Sequence, residues 1–156
     1  MLTVLVICTG NSCRSVLGEA LFNHLGTGRI QAFSAGSHPK GFIKPKAIEI
    51  LQKYGLPTHG LKSQSWDEYT HHPVDFIITV CDQAAGEVCP IYPSNATHIH
   101  WGLSEPSHTQ KDINLALEHT YKTLEQRITK MLDLPLENMT AEQRHTELNT
   151  IKHYED

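Results

Sequence analysis

A thiol and a guanidinium suited to anion chemistry lie close together near the N-terminus, in the segment CTGNSCRS. Backbone N–H groups of a loop that precedes a helix can bind an anion, and Arg14 can pair with two oxygens of a tetrahedral oxyanion. The same positive field favours the thiolate of Cys8, to which Ser15 can donate a hydrogen bond. The alternative is a buried cysteine at a strand end and a surface arginine. We predict an oxyanion-binding loop with Cys8 as the nucleophile. Its oxyanion-binding residues are Thr9, Gly10, Asn11, Ser12, Cys13, Arg14 and Ser15.

Alternating strands and helices must position this loop. The aliphatic run from Leu2 to Ile7 is typical of a strand buried on both faces, and helical spacing of apolar residues follows from Val16 until Gly26. Further along the chain the patterns predict strands at Ile30–Ala35, Val74–Val80 and His98–Trp101, and helices at Pro45–Tyr54 and Ile113–Leu132. This order predicts a doubly wound α/β fold, a four-stranded parallel sheet with helices on both faces.

The bulk composition limits the classes of function. The chain has 156 residues, 39% of them hydrophobic and 19% charged, which fits one catalytic domain over residues 1–135. Residues 136–156 are polar and predict a C-terminal tail or a weak helix. The net charge of −4 argues against a nucleic-acid partner, and no apolar run is long enough for a membrane span. The N-terminal run lacks the features of a signal peptide, so we expect a cytoplasmic protein.

The four cysteines allow more than one interpretation. Two structural disulfides suit short secreted chains, whereas in a reducing cytosol cysteines serve as metal ligands, catalytic groups or small buried hydrophobes. Neither the spacing of a zinc site nor a matching histidine pair is present. We therefore expect no metal and no cofactor.

The loop sequence resembles the CX5R phosphate loop of the low-molecular-weight protein tyrosine phosphatase superfamily. The resemblance continues through the S-A-G at Ser34–Gly36, the V-C-D at Val80–Asp82 and the H-W-G at His100–Gly102. It thus covers most of residues 1–132. In that superfamily the cysteine is the nucleophile and the arginine binds the oxyanion, which implies these roles for Cys8 and Arg14.

Two branches of the superfamily share the loop. Phosphatases hydrolyse a phosphocysteine, and arsenate reductases release arsenite by forming a disulfide with further cysteines. The segment VCDQAAGEVCP, which carries Cys81 and Cys89, resembles the redox segment of the thioredoxin-coupled arsenate reductases. The resemblance implies that Cys81 attacks Cys8 and that Cys89 then moves the disulfide to Cys81–Cys89. The thiols are separated by seven residues, one more than in the best-known thioredoxin-coupled members, so glutaredoxin with glutathione stays open as the reductant. For Cys81 and Cys89 the alternative is a buried strand-end cysteine and an ordinary loop thiol.

The remaining site residues also follow from the resemblance. The family's acid loop follows H-W-G and ends in D-P, and here Glu105 stands at the aspartate position. Glu105 can deliver the proton to the leaving oxygen, or it caps the helix that follows. Asn11, Glu19 and Ser34 match positions near a bound potassium ion in some members, but Ser63 stands where a carboxylate is expected. We therefore expect these three to shape the loop by hydrogen bonding, and Cys13 to be structural.

Three functions follow from the sequence. The first is arsenate reduction through the cysteine relay, with arsenate or a phosphate-like oxyanion as ligand and residual phosphatase activity. The second is hydrolysis of phosphotyrosine through a phosphocysteine, although no tyrosine pair follows Glu105. The third is an oxyanion-binding or thiol-sensing module, which needs no general acid.

Overall fold

The computed structural model describes residues 1–82, 91–104 and 112–151. The elements in chain order are β1 (Leu2–Cys8), α1 (Arg14–Leu25), β2 (Ile30–Gly36), α2 (Pro45–Lys53), a 3-10 helix (Trp66–Tyr69), β3 (Phe76–Thr79), β4 (Thr97–His100), α3 (Ile113–Leu132), a second 3-10 helix (Leu136–Asn138) and α4 (Ala141–Ile151). In these described ranges no helix is long and apolar enough to cross a membrane.

The four strands form one parallel sheet in the order β2-β1-β3-β4. Side chains of β1 alternate between two cores: Val4 and Val6 belong to one cluster, and Leu5 and Ile7 to the other. Burial on both faces explains the continuous aliphatic run in the sequence. The predicted fold class, a four-stranded parallel α/β sheet, is confirmed.

Helices cover both faces of this sheet in the part of the chain that the structure describes. α1, α2, α3 and α4 all contribute to the larger core cluster. The 3-10 helix Trp66–Tyr69 packs against the smaller cluster on the opposite face, where Tyr92 is also buried. The carboxyl ends of the strands are left as the edge where loops meet, the usual place for a ligand in such folds.

α4 is anchored in the core by a few apolar side chains. Leu148 is 0% exposed and Ile151 5% exposed, and the indole N–H of Trp101 donates to the carbonyl oxygen of Leu148 at 3.0 Å. The helix predicted for this polar region runs from Ala141 to Ile151. The boundary at residue 135 between a catalytic domain and a C-terminal tail stays a prediction. The sequence did not predict that α4 packs on β4.

Most element ends differ from the sequence prediction by one or two residues. β3 covers Phe76–Thr79, inside the predicted Val74–Val80, yet N–H groups of Asp75 and Val80 still donate to β1 carbonyls at 2.9 and 3.0 Å. α1 begins at Arg14, earlier than the first apolar residue of the helical pattern. The loop's arginine is therefore part of the first helical turn.

Candidate active site

The thiol of Cys8 lies at the carboxyl end of β1, where the loop towards α1 folds back over it. Cys8 is 3% exposed. Its sulfur accepts a hydrogen bond from the backbone N–H of Asn11 at 3.2 Å, and the hydroxyl oxygen of Ser15 lies 3.0 Å from it. The backbone N–H of Asn11 and the hydroxyl of Ser15 can each donate a hydrogen bond to the sulfur. Two hydrogen-bonding groups thus fix the position of the sulfur at the base of the loop.

The loop carbonyls are held by the segment 37–44, which connects β2 to α2. Backbone N–H groups donate from His38 to Thr9, from Lys40 to Gly10 and from Lys44 to Ser12, each at 2.9 Å. In a trans peptide the carbonyl and the next N–H point in opposite directions. We therefore expect the N–H groups that follow these carbonyls to face the inside of the loop, as the hydrogen bond from Asn11 to the thiol shows for one of them. Such converging N–H groups form an anion-binding concavity.

Asn11 fixes the curvature of the loop. Its φ of 47° is in the left-handed region that asparagine tolerates better than most residues. The side-chain amide donates to Ser15 at 2.8 Å and to Ser34 at 2.9 Å, and its oxygen accepts the N–H of Gln64 at 2.8 Å. Asn11 is fully buried. The amide therefore connects the nucleophile's loop to β2 and to the segment before the first 3-10 helix.

Glu19 ends this chain of hydrogen bonds. The hydroxyl of Ser34 donates to the Glu19 carboxyl at 2.6 Å. Burial raises the pKa of Glu19 from 4.5 to about 7, against the opposing effect of hydrogen bonds from Ser34. Burial, and secondarily the negative charge of Glu19, raises the pKa of Tyr69 to about 12. Hydrogen bonding by Asn11, Ser34 and Glu19 agrees with the loop-shaping role expected from the sequence.

The guanidinium of Arg14 reaches the backbone on the far side of the site. Its Nη1 atom donates to the carbonyl oxygen of Leu103 at 2.9 Å and lies 3.5 Å from that of Val80. Arg14 is 4% exposed, which excludes the alternative of a surface arginine. These carbonyls precede the segments that carry Cys81 and the expected acid. Arg14 thus links the loop to the chain that follows β3 and to the chain that follows β4.

The predicted resolving thiol Cys81 lies at the same edge of the sheet. β1 and β3 are neighbours, with Ile7 paired to Thr79, so Cys81 follows the strand beside that of Cys8. Neighbouring strands are about 4.8 Å apart. Cys81 is fully buried and disulfide-bonded, whereas the buried Cys8 and Cys13 carry free thiols. Cys13 belongs to the core cluster.

Two predicted site residues, Cys89 and Glu105, lie outside the described residues. Their assigned roles stay predictions.

The structure also adds residues that sequence reasoning missed. Gln64 comes from an irregular segment without periodicity, yet its amide donates to Ser34 O at 3.0 Å and Tyr69 OH at 2.7 Å. Arg127 of α3, 1% exposed, points its Nη1 at the carbonyl oxygen of Gly102, 3.4 Å away. Only its position on the buried face of α3 could have indicated this residue.

A thiol at the end of the first strand of a parallel sheet, inside a loop of converging N–H groups, defines an α/β protein of the phosphate-loop type. Residues 3–147 match the family model of the low molecular weight phosphotyrosine protein phosphatase, and the chain belongs to that family. The resemblance found in the sequence is confirmed.

Several relatives by sequence are arsenate reductases. Arsenate reductase 2 of Staphylococcus epidermidis is 34% identical over 105 residues, which cover 67% of this chain and 79% of the relative. The arsenate reductase of Staphylococcus xylosus is 32% identical over 125 residues, 75% of this chain and 94% of the relative.

Solved structures show the same fold. The arsenate reductase of Archaeoglobus fulgidus superposes with a TM-score of 0.66 at 25% identity, covering 81% of this chain and 98% of that one. A thioredoxin-dependent arsenate reductase of Corynebacterium glutamicum gives a TM-score of 0.64 at 26% identity, covering 85% and 61%. A low molecular weight protein tyrosine phosphatase of T. tengcongensis, at 22% identity, shares the fold with a TM-score of 0.67 over 85% of this chain and 99% of its own.

Proposed function

We propose that this protein reduces arsenate to arsenite through a cysteine–arsenate adduct and an intramolecular disulfide relay. The observation that carries the proposal is the buried free thiol of Cys8 in an oxyanion loop, on the strand beside the one that leads to the disulfide-bonded Cys81. The arsenate reductases among its relatives support the choice of substrate.

The first step is formation of the adduct. The Cys8 thiolate attacks arsenic, a sulfur–arsenic bond forms, and an arsenate oxygen leaves as water once it is protonated. Arg14 and the loop N–H groups hold the remaining oxygens. We assign delivery of the proton to Glu105, a contribution of about 10²–10⁴-fold for a positioned acid.

The second step transfers two electrons to arsenic. The thiolate of Cys81 attacks the sulfur of Cys8, a disulfide forms, and the electron pair of the broken sulfur–arsenic bond leaves with arsenic as arsenite. Two thiols are oxidised and arsenic(V) becomes arsenic(III). Cys89 then attacks Cys81, which frees the Cys8 thiolate and leaves a Cys81–Cys89 disulfide.

The cycle closes when an external dithiol reduces that disulfide. Thioredoxin is the first candidate because one structural relative is described as thioredoxin-dependent, and glutaredoxin with glutathione is the second. We place the protein in the cytoplasm, where such systems keep thiols reduced. Purified thioredoxin and glutaredoxin systems, compared at equal reducing capacity, will identify the partner by the rate of arsenite release.

A thiol count tests the relay without any partner. Fully reduced protein mixed with arsenate is expected to lose two free thiols and to release one arsenite per chain. Cys8→Ser is the control and is expected to lose none. If the thiol count of the unmodified protein stays constant while arsenate is bound, the relay is wrong.

Phosphotyrosine hydrolysis is the second candidate, because the family model that matches the chain is that of a phosphatase. Cys89→Ser separates the two functions. In the proposed relay this variant keeps slow hydrolysis of an aryl phosphate through Cys8 and loses repeated turnover of arsenate. Fast aryl phosphate hydrolysis with no thiol loss in arsenate would favour the phosphatase.

A further inference from the structure

One charged side chain lies against the oxyanion loop and has no role in the chemistry described so far. Lys40 is exposed, and its backbone N–H donates to the carbonyl oxygen of Gly10 at 2.9 Å. The neighbouring turn is also fixed: the N–H of Gly41 donates to the hydroxyl of Ser63, which donates in turn to the same Gly10 oxygen at 3.2 Å. The backbone of Lys40 is therefore held on the loop from two sides.

The aliphatic part of the Lys40 side chain runs across Gly10. A Cβ atom built on Gly10 would lie 3.2 Å from Cε, 3.3 Å from Cγ and 3.5 Å from Cδ of Lys40. One further bond of about 1.5 Å places the ammonium within about 5 Å of that point. Any side chain at Gly10 would displace this stem, so the glycine provides the space that Lys40 occupies.

Gly10 belongs to the open rim of the loop. Thr9 and Gly10 are partly exposed, whereas every residue from Asn11 to Ser15 is buried. Thr9 and Gly10 are therefore the part of the loop that solvent reaches. The protein as a whole carries a charge of −4, which repels an anion, so a cation beside the rim lowers that repulsion locally.

We propose that Lys40 is an anion-binding residue whose ammonium attracts and retains small inorganic oxyanions at the rim of the Cys8 loop. The inference rests on the oxyanion site of the proposed function. Arg14 is buried and pairs with backbone carbonyls, whereas Lys40 supplies a mobile point charge on the solvent side. The interaction is therefore sensitive to salt, as exposed charges are.

Protection of Cys8 from alkylation measures this effect with inorganic phosphate as the probe. Reduced protein is treated with iodoacetamide over a phosphate series, and modification of the Cys8 peptide is followed by mass spectrometry. Lys40→Met keeps the stem over Gly10 and removes the charge. We expect its half-protecting phosphate concentration to rise about three- to tenfold at low salt, and the difference to shrink at high salt.

Two matched variants separate charge from packing and from net charge. Lys40→Arg keeps the charge and is expected to bind phosphate as the unmodified protein does. Lys130→Met, an exposed lysine in the last turn of α3, makes the same change of net charge at the opposite end of the sheet and is expected to have no effect. Equal protection of Lys40→Met and the unmodified protein overturns the proposal, and so does an equal loss in Lys40→Arg.

The assay involves no turnover, so it distinguishes this proposal from the proposed function. If phosphate protects Cys8 but arsenate causes no thiol loss, the relay fails and the role of Lys40 is still decided by the variants. If phosphate gives no protection even in the unmodified protein, the oxyanion site itself is refuted and the role of Lys40 with it.

Discussion

Replacement of Glu19 by glutamine tests the electrostatics of the hydrogen-bond chain behind the nucleophile. Burial raises the pKa of Glu19 from 4.5 to about 7 in the folded protein. The folded state therefore binds this proton more tightly than the unfolded state, and its contribution to stability is complete below pH 4.5. The contribution falls as the pH rises from about 4.5 to 7, by ~3 kcal/mol in total.

Glu19→Gln resembles the protonated carboxyl and keeps an oxygen that can accept the Ser34 hydroxyl, but it does not titrate. We expect the free energy of unfolding, measured by urea denaturation with a reductant present, to be similar for the two proteins near pH 4.5. At pH 8 the variant is expected to be more stable by up to ~3 kcal/mol. Glu147→Gln, an exposed position on α4, makes the same charge change and is the control.

Parallel stability curves for Glu19→Gln and the unmodified protein between pH 4.5 and 8 would refute this reasoning. They would mean that Glu19 is solvated well enough to ionise at no cost. A curve for Glu147→Gln as flat as that of Glu19→Gln would assign the effect to net charge and not to burial.

Three further changes test the packing around the site. Asn11→Ala removes three side-chain hydrogen bonds of a buried amide and is expected to lower the free energy of unfolding by about 2–4 kcal/mol, together with phosphate affinity. Gly36→Ala places a Cβ 2.4 Å from the carbonyl oxygen of Thr9, so we expect a loss of about 1–3 kcal/mol and a distorted oxyanion loop, measured by denaturation and by phosphate protection of the thiol. Trp101→Phe removes the hydrogen bond to Leu148 and is expected to speed hydrogen–deuterium exchange throughout α4 by at least several-fold.

The changes at Gly36 and Trp101 each have an outcome that would contradict the reasoning. Gly28→Ala has a φ of 82° but nothing within 4 Å of the new Cβ, so it reports backbone strain alone and should leave phosphate affinity intact. Loss of affinity in both glycine variants would contradict the steric argument for Gly36. Exchange in α4 that is unchanged by Trp101→Phe would show that its apolar contacts hold the helix without the indole hydrogen bond.

The sequence predicted the fold well because its signals are local and strong. The aliphatic run of β1 and the apolar spacing of α1 and α3 each arise from burial of that element alone. The strand–loop–helix unit that carries Cys8 and Arg14 was also predictable, since its signals lie within one short stretch of sequence.

The parts that sequence reasoning missed depend on contacts between distant segments. The backbone of Gln64 bonds to Asn11 across 53 positions of the chain, and no periodicity marks such a residue. The burial of Leu148 was hidden because α4 is polar on average and contributes only two side chains to the core. In the sequence, Lys40 has no feature that distinguishes it from other surface lysines. Only the structure shows that its aliphatic side chain lies against Gly10.

The hydrogen bonds from the segment 37–44 to the loop carbonyls determine which substitutions the loop around Cys8 can tolerate. All three donors are main-chain N–H groups of His38, Lys40 and Lys44, so substitution of their side chains leaves the cradle for the anion intact. The exposed side chain of Lys40, in the same segment, lies against Gly10 at the rim. The backbone of the segment 37–44 thus holds the loop, and its side chains can be substituted without loss of these hydrogen bonds. We expect that ligand preference can be changed by substitutions in this segment while the loop around Cys8 keeps its conformation.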